Sequence, residues 1–104
     1  MDERKTFENP ETGEQRLKWL LKEKPKTSET RKALENWTID QEQQVENTPI
    51  AVIEFNLRRG RLYLAAGYKD EALENFEAAR EQAFNERRDE LYNAIEEEMY
   101  RLEI

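Results

Sequence analysis

The chain has no cysteine and no histidine, and only three glycines and three prolines. Without thiols it can build neither a disulfide framework nor a thiolate nucleophile. Without imidazole, a Ser-His triad, axial haem ligation by histidine and the usual zinc ligand sets are excluded. Long apolar runs are also missing, and none approaches the ~18 residues that a membrane span requires. The charged start Met1-Asp2-Glu3-Arg4-Lys5 has no apolar leader behind it, so no membrane segment and a cytoplasmic location are expected.

What the chain does have is charge. Of 104 residues, 39% are charged and 37% hydrophobic, with 24 acidic against 17 basic side chains and a net charge of −7. That length holds one domain, and that apolar content supports a small core. Direct nucleic-acid binding is not expected from an acidic chain, because affinity for phosphate backbones is driven by positive charge.

Periodicity places the elements. Residues 1–13 carry Asn9-Pro10-Glu11-Thr12-Gly13 among charges without an apolar period, and read as a flexible tail ahead of a single helical domain over 14–104. From Glu14 to Lys24, Leu17, Leu20 and Leu21 recur at helical spacing, and Pro25 closes the segment. Thr27 or Ser28 can cap a flanking helix over 28–46, with Leu34, Trp37, Gln41 and Val45 on one face. Thr48-Pro49 is a helix start, since proline at the first position lacks an N–H that would have no partner there. The helix that follows to Ala66 is apolar around most of its circumference and should be central. Gly67 breaks the chain, Asp70 to Phe84 repeats helically, and Asn85 can cap a last flanking helix over 86–103. No segment alternates as a strand would, so the fold is all-α, a small bundle or solenoid fragment of four to five helices. Core candidates are Leu34, Trp37, Val52, Ile53, Phe55, Leu62, Tyr63, Ala72, Phe76, Ala79, Leu91, Ile95, Met99 and Leu102.

Around Gly67 the sequence reads Gly60-Arg61-Leu62-Tyr63, then Gly67, then Ala72-Leu73-Glu74-Asn75-Phe76, then Ala79. This resembles a tetratricopeptide repeat (TPR), with a small residue and an aromatic on the first helix and Ala-x-x-x-Phe on the second. The resemblance covers about Ile53 to Glu86, within a hairpin over 49–84. It implies a concave face on the first helix, formed by Glu54, Leu57, Arg58, Arg61, Leu64 and Ala65. It also implies a peptide or protein partner gripped there, with Arg58 and Arg61 as planar donors for carboxylates. The alternative for these arginines is pairing with Glu54 or with the acidic second helix. Arg59, at a position the pattern buries, must snorkel or find a carboxylate. A lone repeat cannot cover its own faces, so the flanking helices or a second copy in a homodimer must do so.

Two charge features remain. Residues 16–32 hold seven basic and two acidic side chains with Trp19 among them, whereas 33–57 hold five acidic and no basic ones. The basic stretch with its aromatic could contact RNA or an acidic protein surface, or pair within the fold with the acidic helices. The runs Glu86 to Glu90 and Glu96-Glu97-Glu98 offer a second function class, an acidic mimic of nucleic acid that blocks a DNA- or RNA-binding protein. They lack the histidines or the Asp-rich glycine loop of a metal site, and no carboxylate sits in an apolar stripe as a general acid would. The expectation is therefore an adaptor or regulatory module with no catalytic residue, no metal and no cofactor.

Overall fold

A computed structural model describes residues 11–103, with side chains from 15 to 102. Among these residues there are five helices and no strand: α1 (Glu11–Glu23), α2 (Ser28–Glu42), α3 (Pro49–Ala65), α4 (Lys69–Asn85) and α5 (Asp89–Glu103). The all-α expectation holds. The expected tail lies outside the described residues as far as position 10, and helix is already present from Glu11 rather than from Glu14. The helices stack along the chain, each packing mainly on its neighbours in sequence, with α1 also touching α3. The molecule measures 50 × 31 × 19 Å, an elongated layer rather than a sphere.

The central pair, α3 and α4, has the most extensive contact. Gly60 makes it possible: a Cβ there would stand 3.2 Å from the carbonyl oxygen of Ala72, 3.3 Å from Asn75 Cβ and 3.3 Å from Phe76 Cζ. Ala72, Phe76, Ala79 and Ala83 form the facing stripe of α4 and are fully buried. Ile53, Phe55, Leu57, Leu62 and Tyr63 are buried on α3, which is therefore packed on several sides as its all-round hydrophobicity predicts.

Local chemistry sets the ends. The Thr48 hydroxyl accepts from the Ala51 N–H at 3.2 Å, with Pro49 following at the first helical position. Thr27 caps α2 in the same way through Thr30 N. Helix α2 stops at Glu42, short of the expected 46, and the chain then runs to Thr48, which proline at 49 holds extended as the cap of the next helix. Val45 thus lies in the connection, half-buried against the core.

The two turns flanking α4 share one hydrogen-bond pattern. After α3, Gly67 N–H donates to Leu64 O and Tyr68 N–H to Tyr63 O, both at 2.9 Å. After α4, Arg87 N–H donates to Phe84 O at 3.0 Å and Arg88 N–H to Ala83 O at 2.9 Å. Both are Schellman endings with a left-handed residue, Gly67 at φ 92° and Arg87 at φ 56°. Asn85 is accordingly the last residue of α4 and not the cap of α5, which begins at Asp89.

Of the core candidates, Val52, Leu91 and Leu102 are half-buried rather than buried. Leu91 and Leu102 sit on α5, which among the described residues packs mainly on α4, so their outer edges stay partly exposed. Leu17, Leu20 and Leu21 of α1 are buried, and so are two threonines. Thr30, fully buried, donates its hydroxyl to Lys24 O at 2.5 Å and so ties α2 to the end of α1. Thr38 donates to Leu34 O at 2.9 Å within its own helix.

Candidate functional site

The α2–α3 connection passes beside the first half of α3 and leaves an open groove of about 550 Å³. Gln44, Val45 and Glu46 of the connection form one wall, and Ala51, Glu54, Leu57, Arg58 and Arg61 of α3 form the other. Residues 51, 54, 58 and 61 recur at three- and four-residue spacing, so one turn after another of α3 presents them on the same face. Four of the six residues assigned to the partner face from sequence are brought together here: Glu54, Leu57, Arg58 and Arg61.

The other two are not. Leu64 is half-buried and packs against the core, and Ala65 lines a separate hollow of about 290 Å³ against α1 with Lys18, Leu21, Lys22, Arg61 and Leu62. Leu57 is only 6% exposed, so it is the floor of the groove rather than an offered contact. Sequence reading missed Gln44, Val45, Glu46 and Ala51. The first three fall within the helix expected over 28–46, and only the early end of α2 turns them toward α3.

Neither arginine pairs with Glu54. Arg61 instead reaches α5, where its Nε and Nη2 donate to the two carboxylate oxygens of Glu98, each at 3.0 Å. That hydrogen-bonded carboxylate holds the Arg61 pKa above its ordinary value. Arg58 donates to the Gln41 side-chain oxygen at 3.4 Å, and its guanidinium lies 5.8 Å from the ring centroid of Trp37. Trp37 in turn stacks on Phe55, with centroids 6.0 Å apart and planes at 10°. The Trp37 indole N–H is buried without a hydrogen-bond partner.

On the opposite flank of α3, Arg31 of α2 crosses to α4. Its two terminal nitrogens donate to the two oxygens of Glu71 at 2.8 Å, and its Nε donates to Glu35 at 3.2 Å. The guanidinium stands 5.4 Å from the Tyr63 ring and 4.8 Å from the Tyr68 ring. Arg59 stands 5.8 Å from the Tyr63 ring, half-buried, with its Nε unpaired. It neither finds a carboxylate through that nitrogen nor lies fully buried; its guanidinium faces the aromatic ring.

The acidic run of α5 is engaged within the molecule. Glu96 accepts from Arg80 at 3.1 Å, Glu97 from Arg101 at 3.2 Å and Glu98 from Arg61. In the basic stretch, Lys24 pairs with Glu29 at 3.4 Å and Arg31 with Glu71. Among the described residues no group of three or more carboxylates gathers as a metal site would, and no helix is long and apolar enough to cross a membrane. Comparison with known protein families, with characterised proteins and with solved structures finds no match for this chain.

Proposed function

We propose that the chain is a protein-interaction module, an adaptor or regulator that seats a peptide or protein segment on α3 in the groove beside the α2–α3 connection. The observation that carries this reading is the groove itself, an apolar floor of Val45, Ala51 and Leu57 under a rim of Glu46, Glu54, Arg58 and Arg61. Apolar floors with few polar groups at the rim bind segments by burying side chains and fixing their orientation through the rim. The resemblance of 53–86 to a tetratricopeptide repeat supports the same face of the same helix. The second reading, a nucleic-acid mimic built on α5, has less support, because Glu96, Glu97 and Glu98 each already hold an arginine of this chain. A mimic must present unpaired charge at the spacing of phosphates.

The test is capture from lysate with wild type and with Ala51→Trp, a half-buried groove position at which the larger ring fills the space. Specific partners should disappear with Ala51→Trp while the circular dichroism spectrum is retained. Partners that survive Ala51→Trp but are lost with Glu86→Lys/Glu90→Lys would move the function to α5.

A further inference from the structure

The polarity of the groove differs from what the arginines suggest by themselves. Arg58 and Arg61 at a rim invite a carboxylate-bearing partner. In the folded chain, however, Arg61 is already satisfied by Glu98 through two 3.0 Å hydrogen bonds, and a partner carboxylate would have to displace it. Arg58 lies on Trp37 and Gln41. Glu46 and Glu54 line the same groove, are exposed, and among the described residues take part in no ion pair. The unpaired charges facing the space are thus two carboxylates against one guanidinium. Beyond the rim, residues 33–57 add three further acidic side chains, Glu35, Asp40 and Glu42, of which Glu35 is paired with Arg31, and no basic one.

We infer that the groove takes a cationic amphipathic segment, one that lays aliphatic side chains on Val45 and Ala51 over the Leu57 floor and brings lysine or arginine to Glu46 and Glu54. This rests on the groove being the docking site, and it names the chemistry of the occupant. The Arg61–Glu98 pair then acts by removing a positive charge from the rim, and Arg58 sets the far limit of the cationic end by repulsion. Complementary charge of this kind governs encounter and discrimination more than total affinity, so the preference should be steep in salt.

The experiment is fluorescence anisotropy with two labelled helical peptides, one built of lysine and leucine and one of glutamate and leucine. Wild type should bind the lysine peptide and not the glutamate peptide. Glu46→Gln/Glu54→Gln should weaken the lysine peptide by about ten-fold. A chain of net charge −7 attracts cations everywhere, so Glu77→Gln/Glu81→Gln, which removes the same charge from exposed positions of α4 outside the groove, is the control. It should leave the affinity within about two-fold. Glu98→Gln, which frees Arg61, should weaken the lysine peptide and strengthen the glutamate one.

Equal losses in the two double variants would overturn the inference, because the attraction would then be diffuse. Tighter binding of the glutamate peptide, abolished by Ala51→Trp, would also overturn it while leaving the groove as the docking site. If neither peptide binds in a manner sensitive to Ala51→Trp, the cationic occupant is excluded, and the docking site is then judged by the lysate capture alone.

Discussion

Arg31 and Glu71, forty residues apart in sequence, meet in a planar two-point ion pair with both hydrogen bonds at 2.8 Å. The pair is the strap between α2 and α4, and the rings of Tyr63 and Tyr68 lie against its guanidinium. Glu71 is also in the first turn of α4, where the helix dipole favours a negative charge. Both side chains are more than a third exposed, so solvent screens their attraction. A double-mutant cycle of Arg31→Met with Glu71→Gln should give a coupling of about 1 kcal/mol, reduced at high salt.

The same pair makes a prediction about acid. The hydrogen bond from Arg31 holds the Glu71 carboxyl below its ordinary range. A group with a lowered folded pKa contributes stability above its unfolded pKa and loses it as the pH falls through the folded one. Wild type should therefore lose stability more steeply than Glu71→Gln as the pH drops below about 4.3, the ordinary glutamate value. Chemical denaturation at a series of pH values measures the difference, and parallel curves would show that the pair contributes nothing in acid.

The turn after α4 carries an arginine where its counterpart after α3 carries glycine. Side chains other than glycine are strained in the left-handed region by roughly 1–2 kcal/mol. Arg87→Gly should therefore stabilise the protein by about 0.5–1 kcal/mol, the gain being offset in part by greater freedom in the unfolded chain. Gly67→Ala should do the reverse. At Gly67 a new Cβ would also lie 2.8 Å from Lys26 Cε, but that is the end of a flexible side chain that can move, so the backbone angle governs the loss. Thermal unfolding of the two variants side by side checks both signs.

Phe76 is fully buried on α4 and touches the position where Gly60 would carry a side chain. Phe76→Ala should cost about 3–5 kcal/mol by leaving a cavity between α3 and α4. Gly60→Val should cost about 1–3 kcal/mol for the opposite reason, overpacking against the Ala72 carbonyl, which cannot swing aside. A change under about 1 kcal/mol in Phe76→Ala would mean that the interface collapses to fill the space.

Thr30 joins the first hairpin through a buried hydroxyl. Thr30→Val keeps the shape and removes one donor, while the Lys24 carbonyl keeps the bond from the Thr27 hydroxyl at 2.9 Å, so a loss of about 0.5–1.5 kcal/mol is expected by urea denaturation. Thr30→Ser should retain most of the stability.

The sequence by itself determined the helices and much of the core. Apolar periodicity and caps are local signals: Thr48-Pro49 opens α3, Gly67 ends the hairpin turn, and the stripe Ala72, Phe76, Ala79 needs only its own spacing to be read. Only the tertiary structure decided where the charges go. Arg61 has Glu54 and Glu98 within its choice, separated from it by seven and by thirty-seven positions, and the placement of α5 brings Glu98 to it. Leu57 has the same helical phase as the exposed Glu54 and Arg61, yet it is buried, because how far a neighbouring connection covers a helix is not written in that helix. The groove follows from α2 ending at Glu42 and from the path of Gln44, Val45 and Glu46, a path fixed by what they pack against rather than by any residue preference of their own.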